Sequence, residues 1–145
     1  MIERDVTDLS AEESNVEAIR GMKEVGLGPY EAYGYKEALD IYQQVRDLGI
    51  RKEWVHYNQM IRAAASIVAN LAEGAGRFRG RPTPDTARFI AVARGSLYEL
   101  NAWLQIAVID GQISESQYQS FVPHLDRLSR RLYGLVRLDR GGQNG

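Results

Sequence analysis

The sequence predicts an all-α protein, an antiparallel up-down-up-down four-helix bundle, and three observations carry this. Apolar residues recur at three- and four-residue spacing through each long segment. No segment shows a convincing alternation of period two, the mark of a half-buried strand. The connections are short and carry Gly, Pro and capping residues, which suits antiparallel neighbours. At 145 residues the chain fits one domain and can bury a real core.

The elements follow in order. Residues 1–31 hold eight acids against three bases, a balance of −5 inside a net charge of −1. They read as an acidic N-terminal arm. Ser10 and Glu13 have capping-box spacing, so a short helix is expected from about Ala11 to Val25, ended by Gly26, Gly28 and Pro29. The bundle is expected over 32–139. Its first helix runs from Tyr30 to Leu48, with Tyr35, Leu39, Tyr42 and Val45 at helical spacing and Gly49 as the stop. A second helix is expected from about Lys52 to Gly76. The loop GRFRGRPTPD then breaks the pattern, and Thr83 caps a third helix with Pro84 at its first position. That helix carries Phe89, Ile90, Ala93, Leu97, Leu100, Trp103, Leu104 and Ala107, and it stops at Asp110-Gly111. Ser114 and Gln117 form another capping box. The fourth helix buries Tyr118, Phe121, Val122, Leu125, Leu128, Leu132, Leu135 and Val136, and Pro123 is expected to kink or locally break its first turns. Residues 140–145 read as a disordered tail.

Composition excludes several chemistries. The absence of cysteine removes disulfides, thiolate zinc sites and cysteine nucleophiles. His56 and His124 fall on different predicted helices without an acidic partner at ligand spacing, so no metal site and no cofactor are expected. Ser66 and Ser96 sit mid-helix with neither a nucleophile elbow nor a base, and no catalytic residue is assigned. No apolar run approaches the roughly 20 residues that span a bilayer. The stretch MIERDVTDLS lacks a signal-peptide core, so a cytoplasmic location with no membrane partner is expected.

The most distinctive stretch is Gln59–Arg77, QMIRAAASIVANLAEGAGR. At helical spacing Gln59, Arg62, Ser66, Asn70, Glu73 and Arg77 share one face. Ala63, Ala65, Ala69, Ala72 and Gly74 flank it and let another backbone come close. A polar face that becomes covered needs partners. Arg62, Ser66, Asn70 and Glu73, with Ser96 and Glu99 from the next helix, therefore read as a polar assembly seam. Arg62 is expected to pair with Glu73 or Glu99, and Asn70 to bond across helices.

This stretch resembles the signature of the four-helix-bundle proteins encoded in intervening sequences of bacterial 23S rRNA genes. A second block, Ala93 to Leu100 (ARGSLYEL), is similar to that family's third helix, and Gly111–Ser114 to its turn into helix four. The similarity covers roughly residues 35–139. It implies a homo-oligomeric ring, commonly a homopentamer. It also points to a relative, the accessory variability determinant (Avd) of diversity-generating retroelements, which forms a similar ring and binds nucleic acid and a reverse transcriptase. The family implies no firmly established catalysis. The chain departs from its pattern at Ile61, where a second arginine often stands, and in a pI near 6.1.

Under that resemblance Arg77, Arg79, Arg81, Arg88 and Arg94 become a basic rim repeated around a ring. Arg130 and Arg131, with Arg127 and Arg137, form a second candidate set. Repeated arginines would bind phosphate in a salt-dependent, largely sequence-independent way, and Phe78 is a candidate stacking residue. The reading is a non-enzymatic ring that binds RNA or DNA. The alternative is a protein-protein adaptor, such as a reverse transcriptase accessory subunit.

Overall fold

The computed structural model describes residues 33–142, with side chains described as far as Val136. The expected acidic arm with its short helix, the Arg137 side chain and residues 143–145 lie outside the described residues. Four helices follow one another: α1 Tyr35–Asp47, α2 Tyr57–Gly76, α3 Pro84–Ile109 and α4 Glu115–Gly142. Each packs on its sequence neighbour, and α1 also packs on α4, closing an up-down bundle.

The N-terminal boundary of α1 is set by Gly34, which sits at φ 79° as N-cap. A Cβ there would also lie 2.7 Å from Leu128 Cδ1 of α4. Only glycine meets both conditions without strain. The buried stripe of α1 is Ala38, Ile41 and Val45. Tyr35, Leu39 and Tyr42, expected beside Val45, are only partly buried. The tyrosine phenol is one reason for the rotated stripe: the Tyr42 hydroxyl stays outside and accepts from Arg46 Nη1 at 3.3 Å. Gly49, at φ 69°, ends the helix as anticipated.

The start of α2 is five residues later than expected. Residues 51–56 form turns instead, with Trp54 N–H donating to Arg51 O at 3.0 Å and Tyr57 N–H to Trp54 O at 2.9 Å. Trp54 is drawn inward, and its indole N–H donates to Asp110 Oδ2 at 2.9 Å, beyond the end of α3. This tertiary anchor overrides local helix propensity.

The caps of α3 and α4 match their sequence signatures. Thr83 Oγ1 accepts from Thr86 N–H at 3.2 Å while Thr86 Oγ1 accepts from Thr83 N–H at 3.1 Å. Ser114 and Gln117 exchange the equivalent pair at 3.0 and 2.8 Å. α4 passes through Pro123 as one continuous helix, so of the kink or break expected there the break does not occur. Pro123 is exposed, so the carbonyl it leaves without an i→i−4 donor can reach water, while Phe121 and Leu125 on either side are buried. The helix also continues to Gly142, into the segment expected to fray.

Between the helices lies one core, centred on Ile41, Met60, Ile67, Leu71, Ile90, Leu100, Leu104, Leu128 and Leu132. Truncating any one of these leucines to alanine costs about 2–5 kcal/mol. α2 and α3 approach closely at Gly74, where a Cβ would lie 3.3 Å from the Thr86 carbonyl oxygen.

Candidate functional site

Of the residues expected in a polar seam, Ser66, Ser96 and Asn70 meet on the α2–α3 face. Ser66 Oγ and Ser96 Oγ are 2.8 Å apart, one hydroxyl donating to the other across the two helices. Asn70 Nδ2 donates to Ser66 O at 2.8 Å and to Ser66 Oγ at 3.0 Å. The inter-helix bond is therefore made by the serines, and Asn70 bonds within its own helix rather than across. Neither ion pair expected of Arg62 forms within the protomer. Glu73 lies eleven positions further on, about 16 Å along the axis, and pairs with Arg77 at 3.7 Å instead. Glu99 accepts from Trp103 Nε1 at 3.3 Å. Arg62 is exposed and makes no ion pair among the described residues.

Around this network the surface is open and low. Ala65 and Ala69 of α2 and Val92, Gly95 and Ala102 of α3 are exposed. A Cβ at Gly95 would meet nothing within 4 Å. The protomer thus presents small and apolar side chains beside an internally satisfied polar seam, a surface on which another backbone can approach closely.

The predicted arginines divide into two groups. Arg77, Arg79, Arg81 and Arg88 gather at the loop between α2 and α3. Arg77 and Arg88 both lie over the Phe89 ring, at 5.5 and 4.9 Å from its centroid. Each is also paired with an acid on its own helix, Arg77 with Glu73 and Arg88 with Asp85 at 3.5 Å. Arg79 donates to the carbonyls of Gly76 and Phe78. Arg79 and Arg81 make no ion pair among the described residues and are the uncompensated cations of the loop.

Arg94 belongs elsewhere. Six residues after Arg88, it points about 120° around the helix and lies against α4. Its Nε donates to Ser129 O at 3.3 Å and its Nη2 to the Tyr98 hydroxyl at 3.1 Å. The guanidinium is 5.1 Å from the rings of both Tyr98 and Tyr133. Arg130 is paired with Asp126 at 3.1 Å, and Arg131 with Glu37. One continuous basic rim is therefore not what a single protomer displays. Acids on the same or a neighbouring helix balance four of the seven arginines.

The aromatic partners also differ from the sequence reading. Phe78 is partly buried against the core, whereas Tyr42, Phe89, Tyr98 and Tyr133 meet arginines. An Arg-Tyr pair at i, i+4, such as Arg94 and Tyr98, was the one sequence signal for this. His56 packs between rings, stacked on Trp103 at 5.1 Å and edge-on to Trp54 at 5.3 Å. Among the described residues no group of three or more His, Cys, Asp or Glu side chains gathers, and no helix is long and apolar enough to cross a membrane.

A comparison with protein-family models matches residues 33–134 to the family described as 23S rRNA-intervening sequence protein. No curated relative matches the chain. The matched span takes in α1, α2, α3 and most of α4, and with them both the serine seam and the arginine loop.

Proposed function

Because the chain belongs to the 23S rRNA-intervening sequence protein family, we propose that it is a non-enzymatic assembly protein, a ring of protomers joined through the α2–α3 face that binds RNA or other nucleic acid. A pentamer is the ring size that the family resemblance implies. The observation that carries the binding reading is the pair Arg79 and Arg81, exposed on one loop without acidic partners among the described residues. Two cations on one protomer bind phosphate weakly. The same pair repeated around a ring gains effective concentration, and affinity rises without any new contact. Arg77 and Arg88, both over the Phe89 ring, flank the pair and add planar guanidinium groups for the same strand.

The test is binding of a labelled RNA to the purified protein across a salt series, beside an Arg79→Ala/Arg81→Ala variant. Binding of the wild type weakens steeply with salt. The slope of log K against log salt falls in the variant by about 1.4 for each protomer whose loop touches a single strand. An unchanged slope in the variant removes the loop from the proposal, and no binding at low salt removes nucleic acid altogether.

A second reading, a protein-protein adaptor, is favoured by the balancing of Arg77, Arg88, Arg130 and Arg131 and by exposed Val55 and Ile109, each about 80% accessible. Such a surface of paired charges with isolated apolar residues suits a protein partner. It leads if the salt series shows no binding.

A further inference from the structure

Away from the loop, an open cleft of about 240 Å³ lies between α3 and α4. Its lining includes the apolar Leu97, Val122 and Leu125 together with the rings of Tyr98 and Tyr118. The volume falls below the roughly 300 Å³ at which pockets begin to hold drug-sized ligands, and it suits one planar ring system. We propose that this cleft holds a single unstacked nucleobase of a bound RNA strand. The inference rests on the nucleic-acid reading above and assigns that reading a second contact, on a different face.

Three features favour a base over another occupant. The first is an ordered polar edge. Gln105 Nε2 donates to the Tyr118 hydroxyl at 3.2 Å, and that hydroxyl donates to Asn101 Oδ1 at 2.8 Å. With its oxygen engaged, Asn101 is left with its Nδ2 hydrogens to donate, and every base presents a ring nitrogen or carbonyl acceptor on its edges. The second is Tyr98, which lines the cleft and stays 57% accessible although Arg94 lies 5.1 Å from its ring centroid, leaving aromatic surface for stacking. The third is charge. Arg94 is pinned at the cleft wall between Tyr98 and Tyr133. Arg130 pairs with the lining residue Asp126 at 3.1 Å and offsets its charge. With that carboxylate offset, the positive charge of Arg94, held against the lining residues Ser129 and Tyr98, favours a phosphodiester. Recognition of RNA by splayed-out bases stacked on aromatic side chains belongs to single strands, not duplexes.

The experiment compares a single-stranded RNA decamer, its abasic counterpart and the corresponding duplex, bound to the full chain. The base-bearing strand binds roughly 5- to 150-fold more tightly than the abasic one. Tyr98→Ala reduces that preference, Tyr98→Phe retains it, and the cleft-filling Val122→Trp abolishes it. Amide resonances of Leu97, Asn101 and Leu125 shift on addition of the decamer. Equal affinity for the base-bearing and abasic strands overturns the base site, while sensitivity to Arg79→Ala/Arg81→Ala keeps the loop reading intact. The reverse pattern, a base preference that the loop variant does not touch, sinks the loop and keeps the cleft. Free ribonucleoside monophosphates that shift the cleft amides with the same affinity as the decamer overturn the assignment to a strand. Binding by none of these probes overturns both readings.

Discussion

Tyr33 enters the core just before α1 and is only 3% exposed. Burial disfavours its phenolate and pushes its pKa above the ordinary 10.0. The unfolded chain therefore releases this proton at a lower pH than the folded one. The stabilisation that follows is complete below about pH 10 and is lost as the pH rises through the folded-state value. Urea midpoints measured between pH 9 and pH 11 are expected to fall more steeply for the wild type than for Tyr33→Phe. Parallel curves would mean that Tyr33 titrates no differently in the two states. The same rule operates at Ser66, Ser96 and Asn70, where partly buried polar groups are tolerated because each finds a partner within 3.0 Å.

On the scale of the element, two helical glycines separate a tightly packed position from an open one. Gly95 has open space around its missing Cβ, whereas Gly74 is held 3.3 Å from the Thr86 carbonyl. Gly95→Ala is expected to stabilise the isolated protomer by about 1 kcal/mol through helix propensity. At Gly74→Ala the close carbonyl offsets that gain. Thermal unfolding of the two variants checks the contrast, and equal gains would refute the close approach of α2 to α3. Much of this level was legible beforehand. The caps at Thr83 and Ser114 are local signatures, written within four residues. The true start of α2 was not, because Trp54 answers to Asp110, 56 positions away. The ion pairs divide in the same way. Arg77 with Glu73 is an i, i+4 pair visible in the sequence, but Arg131 meets Glu37 across 94 positions. The cleft could not be read at all, since Tyr98, Asn101, Tyr118 and Asp126 meet only once α3 lies against α4.

At the scale of the whole molecule, the exposed α2–α3 face gives the assembly proposal a direct test. Sedimentation of the wild type is expected to show a species several times the 16.3 kDa protomer. Gly95→Arg is expected to shift it towards the protomer, since a long charged side chain then occupies an open position of that face. Helical circular dichroism should remain unchanged, because the site touches nothing inside the bundle. A wild type that sediments as a protomer would end the ring proposal, whatever the fate of nucleic-acid binding. One arrangement described above also has a spectroscopic consequence. The chain's two tryptophans, Trp54 and Trp103, both contact His56 at the same end of the bundle. Intrinsic fluorescence is therefore a local thermometer, sensing the joint between the α1–α2 connection and the last turns of α3. Far-ultraviolet dichroism averages over all four helices. Coincidence of the two melting curves is the natural test of two-state unfolding, and a fluorescence curve running ahead would mark that joint as the first part of the bundle to open.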